Sequence, residues 1–125
     1  MIGRLHHVAI DCSDPRRLAR FYSELTGMSV TYDSDDWVVV AAHDRTSGVA
    51  FQLAPDHKPP RWPDPAYPQQ FHFDVMVDDV DEARDQVIAL GATHLAGNVY
   101  ADPAGHPFCL VPRPGWADPI HSTPA

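Results

Sequence analysis

A strand, a capped helix and a closing glycine recur along this chain at a spacing of 65 residues, from His7 to His72, and that repeat limits the fold more than any other feature. In the first copy, residues 5–12 alternate so that Val8, Ile10 and Cys12 share one face and His7, Ala9 and Asp11 the other. A helix follows: Ser13 or Asp14 caps it, Pro15 suits its first position, and Leu18, Phe21, Tyr22 and Leu25 form one apolar stripe before Gly27. Three β-rich stretches, 28–32, 37–42 and 49–53, are divided by turn-forming Asp, Ser and Gly clusters. The order is βαβββ.

The pattern restarts at residue 71. Phe71, Phe73, Val75 and Val77 alternate with His72, Asp74 and Met76, and Asp79 with Glu82 resembles a capping box. Val80, Ala83, Val87 and Leu90 make the second helical stripe, which Gly91 ends. Short β-stretches at 93–95, 98–101 and 107–111 complete a second βαβββ, with Asp102-Pro-Ala-Gly105 as the turn before the last. Between the copies, residues 55–70 carry Pro55, Pro59, Pro60, Pro63, Pro65 and Pro68, which remove backbone donors and mark a linker. The expected organisation is one α+β domain over 1–125: module one at 5–54, linker 55–70, module two at 71–112, and a coil tail at 113–125.

Charge and cysteine content narrow the function classes. A net charge of −8 argues against a phosphate-backbone binder, which needs a Lys/Arg patch, so nucleic acid is not an expected partner. The opening residues lack a signal-peptide apolar region, and no apolar run approaches the ~18 residues of a membrane span, so the expected location is cytoplasmic with no membrane partner. Cys12 and Cys109 are too few for a disulfide framework and are expected as thiols.

By strand parity His7 and Asp11, and likewise His72 and Asp74, face away from the helix-packed residues and bring polar groups to an otherwise apolar surface. Asp74 beside His72 reads as an acid/base pair, as an orienting partner for a metal ligand, or as hydrogen-bond balance. Trp37, Phe51, Trp62 and Tyr67 are candidate walls of a ligand site. His6 reads as structural, and Cys109 as a small core side chain.

The opening His7-Val-Ala-Ile-Asp11, the Pro-started helix ending Phe21-Tyr-x-x-Leu-x-Gly27, and the closing Asp102-Pro-Ala-Gly-His-Pro-Phe-Cys-Leu110 resemble the glyoxalase/bleomycin resistance/dioxygenase (vicinal oxygen chelate) superfamily, in particular its bacterial glyoxalase-like domains. The resemblance covers nearly 5–112. It implies tandem βαβββ modules in a curled, eight-stranded mixed sheet around a cleft, helices outside, and often a divalent metal held by first and last strands of each module. Carried over, the ligand-bearing positions are His7, Gln52, His72 and Cys109, where the family usually has a glutamate at the last. A thiol there favours softer ions than a carboxylate does, and two imidazoles with one amide hold a dication weakly.

Three function classes therefore stand. One is a metal-free binder of a small molecule contacting His7, Gln52, Trp37, Phe51, Trp62, Tyr67 and Cys109; this ranks first, without the usual tightly bound catalytic metal. Another is a metal-dependent lyase, isomerase or dioxygenase acting on vicinal oxygens, with His7, Gln52 and His72 as ligands and Zn, Mn, Ni or Fe as the candidate ion. The third is a metal-free enzyme using His72 and Asp74. A homodimer is the expected assembly.

Overall fold

A computed structural model describes residues 1–121. The element order is β1 (His7–Cys12), α1 (Pro15–Thr26), β2 (Ser29–Asp33), β3 (Trp37–Ala41), β4 (Gly48–Leu53), β5 (Phe73–Val77), α2 (Val80–Leu90), β6 (Thr93–Ala96), β7 (Val99–Ala101) and β8 (Pro107–Pro112). This is the twice-repeated βαβββ. The chain divides into two compact units, Met1–Lys58 and Pro59–Ala125, with the division inside the proline-rich stretch. The eight strands fall into two mixed, open sheets of four, ordered β1-β4-β3-β2 and β5-β8-β7-β6. Residues 113–121 carry neither helix nor strand; the last four residues of the expected coil lie outside the described part of the chain.

Local chemistry sets the helix boundaries. Asp14, not Ser13, caps α1 by accepting from the Arg17 amide at 3.2 Å, Pro15 takes the first turn, and Gly27 ends it at φ 76°, a left-handed conformation that suits glycine. Asp79 caps α2 through the Glu82 amide at 3.0 Å. In unit one α1 packs on β2, β3 and β4, and its stripe is buried at Leu18, Ala19, Phe21 and Tyr22. Beneath it lie Ile10, Cys12, Val38, Val40 and Phe51; the Phe51 ring stacks on Tyr22 at a centroid distance of 5.5 Å. Each such large side chain withdrawn from water stabilises the fold by about 1.5–3 kcal/mol.

Unit two repeats the arrangement. α2 packs on β6 and β8, with Ala83 and Val87 buried, over Tyr100, Phe108 and Leu110. Arg84 of α2 donates from Nε to the Tyr100 hydroxyl at 3.0 Å, so the one polar atom of that core aromatic has a partner. The pairing of β2 with β3 slips by one residue between Val30 and Tyr32, and that of β6 with β7 slips between His94 and Ala96. The same bulge therefore sits on the same outer strand of both modules.

Candidate functional site

Strand registers decide which side chains share a face. In unit two β5 runs parallel to β8 with Asp74 opposite Cys109, and Cys109 lies opposite Val99 of β7. Residues directly opposite one another project from the same side of a sheet, so Asp74 and Cys109 stand together on the face away from α2. His72, just before β5, reaches the same place: its Nε2 lies 3.1 Å from Asp74 Oδ1. One donor atom from each of His72, Asp74 and Cys109 lies within 4.8 Å of the others. The Asp102 turn fixes the approach to β8, its buried carboxylate accepting from the Ala104 amide at 2.9 Å and the His106 amide at 3.0 Å.

Partial burial, the negative charge of Asp74 and a hydrogen bond to it push the Cys109 thiol above its ordinary pKa, so in the metal-free protein it is a neutral thiol rather than a nucleophilic thiolate. The donor set itself is a sulfur, an imidazole nitrogen and a carboxylate oxygen. That combination fits a thiophilic ion such as Zn2+, whose bonds of ~2.0–2.3 Å need only a small closing of the group. It does not fit ions that demand several hard oxygens.

Unit one gives a different result at the matching positions. β1 runs parallel to β4 with Ala9 opposite Ala50, as Asp74 lies opposite Cys109 in the second copy. The counterpart of Cys109 is therefore Ala50, and Gln52, two residues on, matches Val111. His7 lies opposite Gly48 while Gln52 lies opposite Asp11, which sets His7 and Gln52 four positions apart along the strands, ~13 Å. The expected neighbours do not adjoin. In addition, the Gly48 amide donates to His7 Nδ1 at 3.0 Å. A neutral imidazole whose Nδ1 accepts carries its proton on Nε2, leaving that nitrogen no lone pair for a metal. Metal-bound histidines show the reverse, with the second nitrogen donating.

Gln52 instead joins a cross-strand row, Asp11–Gln52–Trp37, on the face opposite α1. Trp37 is half-buried and lines a cavity of about 1110 Å³ in unit one, together with Arg4, His6, His7, Tyr32 and Arg45. His6 is thus exposed on a cavity wall, its ring 3.7 Å from that of His7, and is not a packed structural residue. Phe51, expected as a ligand wall, is fully buried under α1, because alternation sends it to the face opposite Gln52. In unit two Trp62 is half-buried and Tyr67 is 42% exposed, one ring face covered by the Arg61 guanidinium at 4.5 Å. Arg4 and Arg45 were not legible as site residues, since they come from segments without periodicity.

The glyoxalase-like domain family model matches residues 7–111. Among curated proteins none matches. Solved structures share the fold. A glyoxalase/bleomycin resistance protein/dioxygenase family enzyme from Burkholderia phytofirmans PsJN is 18% identical, with a TM-score of 0.67, over 86% of this chain and 97% of that one. Trypanothione-dependent glyoxalase I of Leishmania major is 21% identical, with a TM-score of 0.59, over 88% and 86%. The fosfomycin resistance protein FosX of Listeria monocytogenes, solved with Mn(II) and sulfate, is 16% identical, with a TM-score of 0.64, over 92% and 96%. Among the described residues no helix is long and apolar enough to cross a membrane. With the family model spanning both modules, the chain belongs to the glyoxalase-like domain family of the vicinal oxygen chelate superfamily.

Proposed function

We propose that this protein binds a small organic molecule on the open faces of its sheets, and that it does so without the tightly held hard divalent ion of its metal-dependent relatives. The observation carrying this reading is the His7 imidazole, whose Nδ1 accepts from the Gly48 amide at 3.0 Å and so presents an N–H where a ligand needs a lone pair. Cys109 at the expected carboxylate position points the same way. Trp37 and Tyr32 supply aromatic walls, and Arg4, Arg45 and His6 supply donors to an anionic or oxygen-rich ligand. Calorimetric titration of metal-free protein with Mn2+ and Mg2+ tests the proposal. No stoichiometric binding tighter than micromolar is expected; nanomolar binding lost on changing His7 would overturn it. The proposal includes a cytoplasmic homodimer, which light scattering at micromolar concentration checks.

A second reading, a lyase, isomerase or dioxygenase acting on vicinal oxygens, is favoured by the spacing of donors in unit two. In it His72, Asp74 and Cys109 hold an ion that, when bound, supplies Lewis acidity toward substrate oxygens. Asp74 also has a part of its own, holding Nε2 of His72 at 3.1 Å and so fixing the orientation of the imidazole.

A further inference from the structure

We propose that the unit-one cavity takes an aromatic oxyanion, a ring carrying a carboxylate or phosphonate at one end only, with the ring against Trp37 and Tyr32 and the anion at Arg4, Arg45 and His7. This rests on the reading that the open sheet face binds a small organic molecule, and it gives that molecule a class and a direction. Strand register sets the direction. On the face opposite α1, His7 shares a row with Gly48. The next row holds Ala9, Ala50, Val39 and Tyr32, and the third ends in Trp37. Rows two residues apart are separated by ~6.7 Å, so the His7 row and the Trp37 row are ~13 Å apart. The middle row is low, since Ala9 and Ala50 carry only a methyl group and Val39 forms part of the cavity floor. A flat ring fits above it.

The two ends differ in chemistry. At the His7 end Arg4 precedes β1 and Arg45 sits in the turn between β3 and β4, and Ser47 Oγ ties the two segments by donating to the Leu5 carbonyl at 3.1 Å. The turn is held by its own bonds, the Thr46 amide donating to the His43 carbonyl and the Arg45 amide to His43 Nδ1, each at 3.3 Å. Among the described residues neither guanidinium forms an ion pair, whereas those of Arg16 and Arg113 are held by aspartates. Their forked N–H groups are open to an oxyanion. His7 adds a further donor through Nε2, because its Nδ1 already accepts from Gly48. In a chain of net charge −8, two arginines against the single carboxylate of Asp44 reverse the local sign. At the other end Asp36 adjoins Trp37, its carboxylate accepting from Ser34 Oγ at 3.0 Å, and it repels a second anion there.

Calorimetric titration of the full chain with four probes tests this: phenylpropionate, its uncharged counterpart phenylpropanol, benzylphosphonate, and phenylenedipropionate, which has an acid at both ends of the ring. Phenylpropionate should bind about tenfold more tightly than phenylpropanol or the diacid, the effect of one hydrogen bond between charged groups. Arg4→Gln and Arg45→Gln should each remove most of that preference and leave phenylpropanol unchanged. Arg20→Gln, exposed on α1 and outside the cavity lining, should alter neither. The Trp37 indole N–H resonance, identified by its loss in Trp37→Phe, should shift with each probe that binds. Tighter binding of phenylpropionate assigns a carboxylate and tighter binding of benzylphosphonate a tetrahedral group; either supports the oxyanion. Acid and alcohol bound equally, or an acid preference intact in both arginine variants, overturns the class while leaving the small-molecule reading in place. A diacid bound as well as phenylpropionate overturns the direction, a Trp37 resonance unmoved by a bound probe overturns the placement of the ring, and no binding by any probe overturns both this inference and the reading beneath it.

Discussion

Replacing Gly48 by alanine probes the pairing that holds His7 in place. Gly48 is opposite His7 on β1 and Ala41 on β3, and its amide donates to His7 Nδ1 at 3.0 Å. A Cβ built on it would stand 2.0 Å from the Val40 carbonyl oxygen and 2.7 Å from Ala41 Cβ, where real Cβ atoms stay beyond 3.0 Å. The nearest obstacle is backbone, so β3 or β4 must give by about an ångström, and overpacking of this kind costs about 1–3 kcal/mol. With an unfolding entropy of ~2.1 cal/mol/K per residue, the 125 residues carry ~260 cal/mol/K, and the melting midpoint should fall by about 4–12 °C. Gly3→Ala and Gly115→Ala, where nothing lies within 4 Å, serve as controls that should change stability by at most ~0.5 kcal/mol. Circular dichroism melts give the midpoint, and the nitrogen chemical shifts of His7 report whether Nδ1 still accepts. A Gly48→Ala midpoint within ~2 °C of the parent, with the His7 signal unmoved, would refute the reasoning.

The two neighbours Phe51 and Gln52 should behave oppositely: Phe51→Ala should lose about 3–5 kcal/mol in urea denaturation, whereas exposed Gln52→Ala should stay within ~0.5 kcal/mol and alter only ligand affinity. Asp79→Ala, removing the α2 cap, should cost ~1 kcal/mol by the same assay. Asp78 accepts from the Ile120 and His121 amides and from Arg113 Nε, which hold its carboxyl down at about 2. Because the folded value lies below the unfolded one, this contribution is complete above ~4 and disappears as pH falls toward 2. In Asp78→Asn that part of the acid dependence should vanish, with Ile120 and His121 amides exchanging faster at neutral pH.

Much of the fold was legible because its signals are local. Asp79, Pro15, Gly27 and Gly91 act within a turn of where they stand, and alternation in residues 5–12 and 71–77 sorts side chains by face without reference to any other strand. Alternation also separates Phe51 from Gln52, so both could not have lined one site, and parity should have decided between them. What it cannot supply is register. The meeting of Asp74 with Cys109 depends on how β5 slides along β8, and the counterpart of Cys109 moved from Gln52 to Ala50 once that slide was known. The state of His7 was equally out of reach, because its partner is a backbone amide at Gly48, which carries no side-chain signature.

The paired bulges bear on how these molecules meet one another. β2 and β6 are outer strands, and both expose apolar side chains: Val30 and Tyr32 are 46% and 57% exposed, and Leu95 is 39% exposed. A straight strand of that composition would offer free N–H and C=O groups to a neighbouring molecule, the geometry from which ribbons and fibrils grow. Thr31 and Leu95, the extra residues, interrupt the ladder midway along strands of only five and four residues. A foreign strand laid along either edge would find its hydrogen-bonding partners out of step after two residues. Crowded in a cell, copies of this chain are thereby hindered from zippering along β2 or β6, and a specific contact at those two edges has to use side chains rather than backbone.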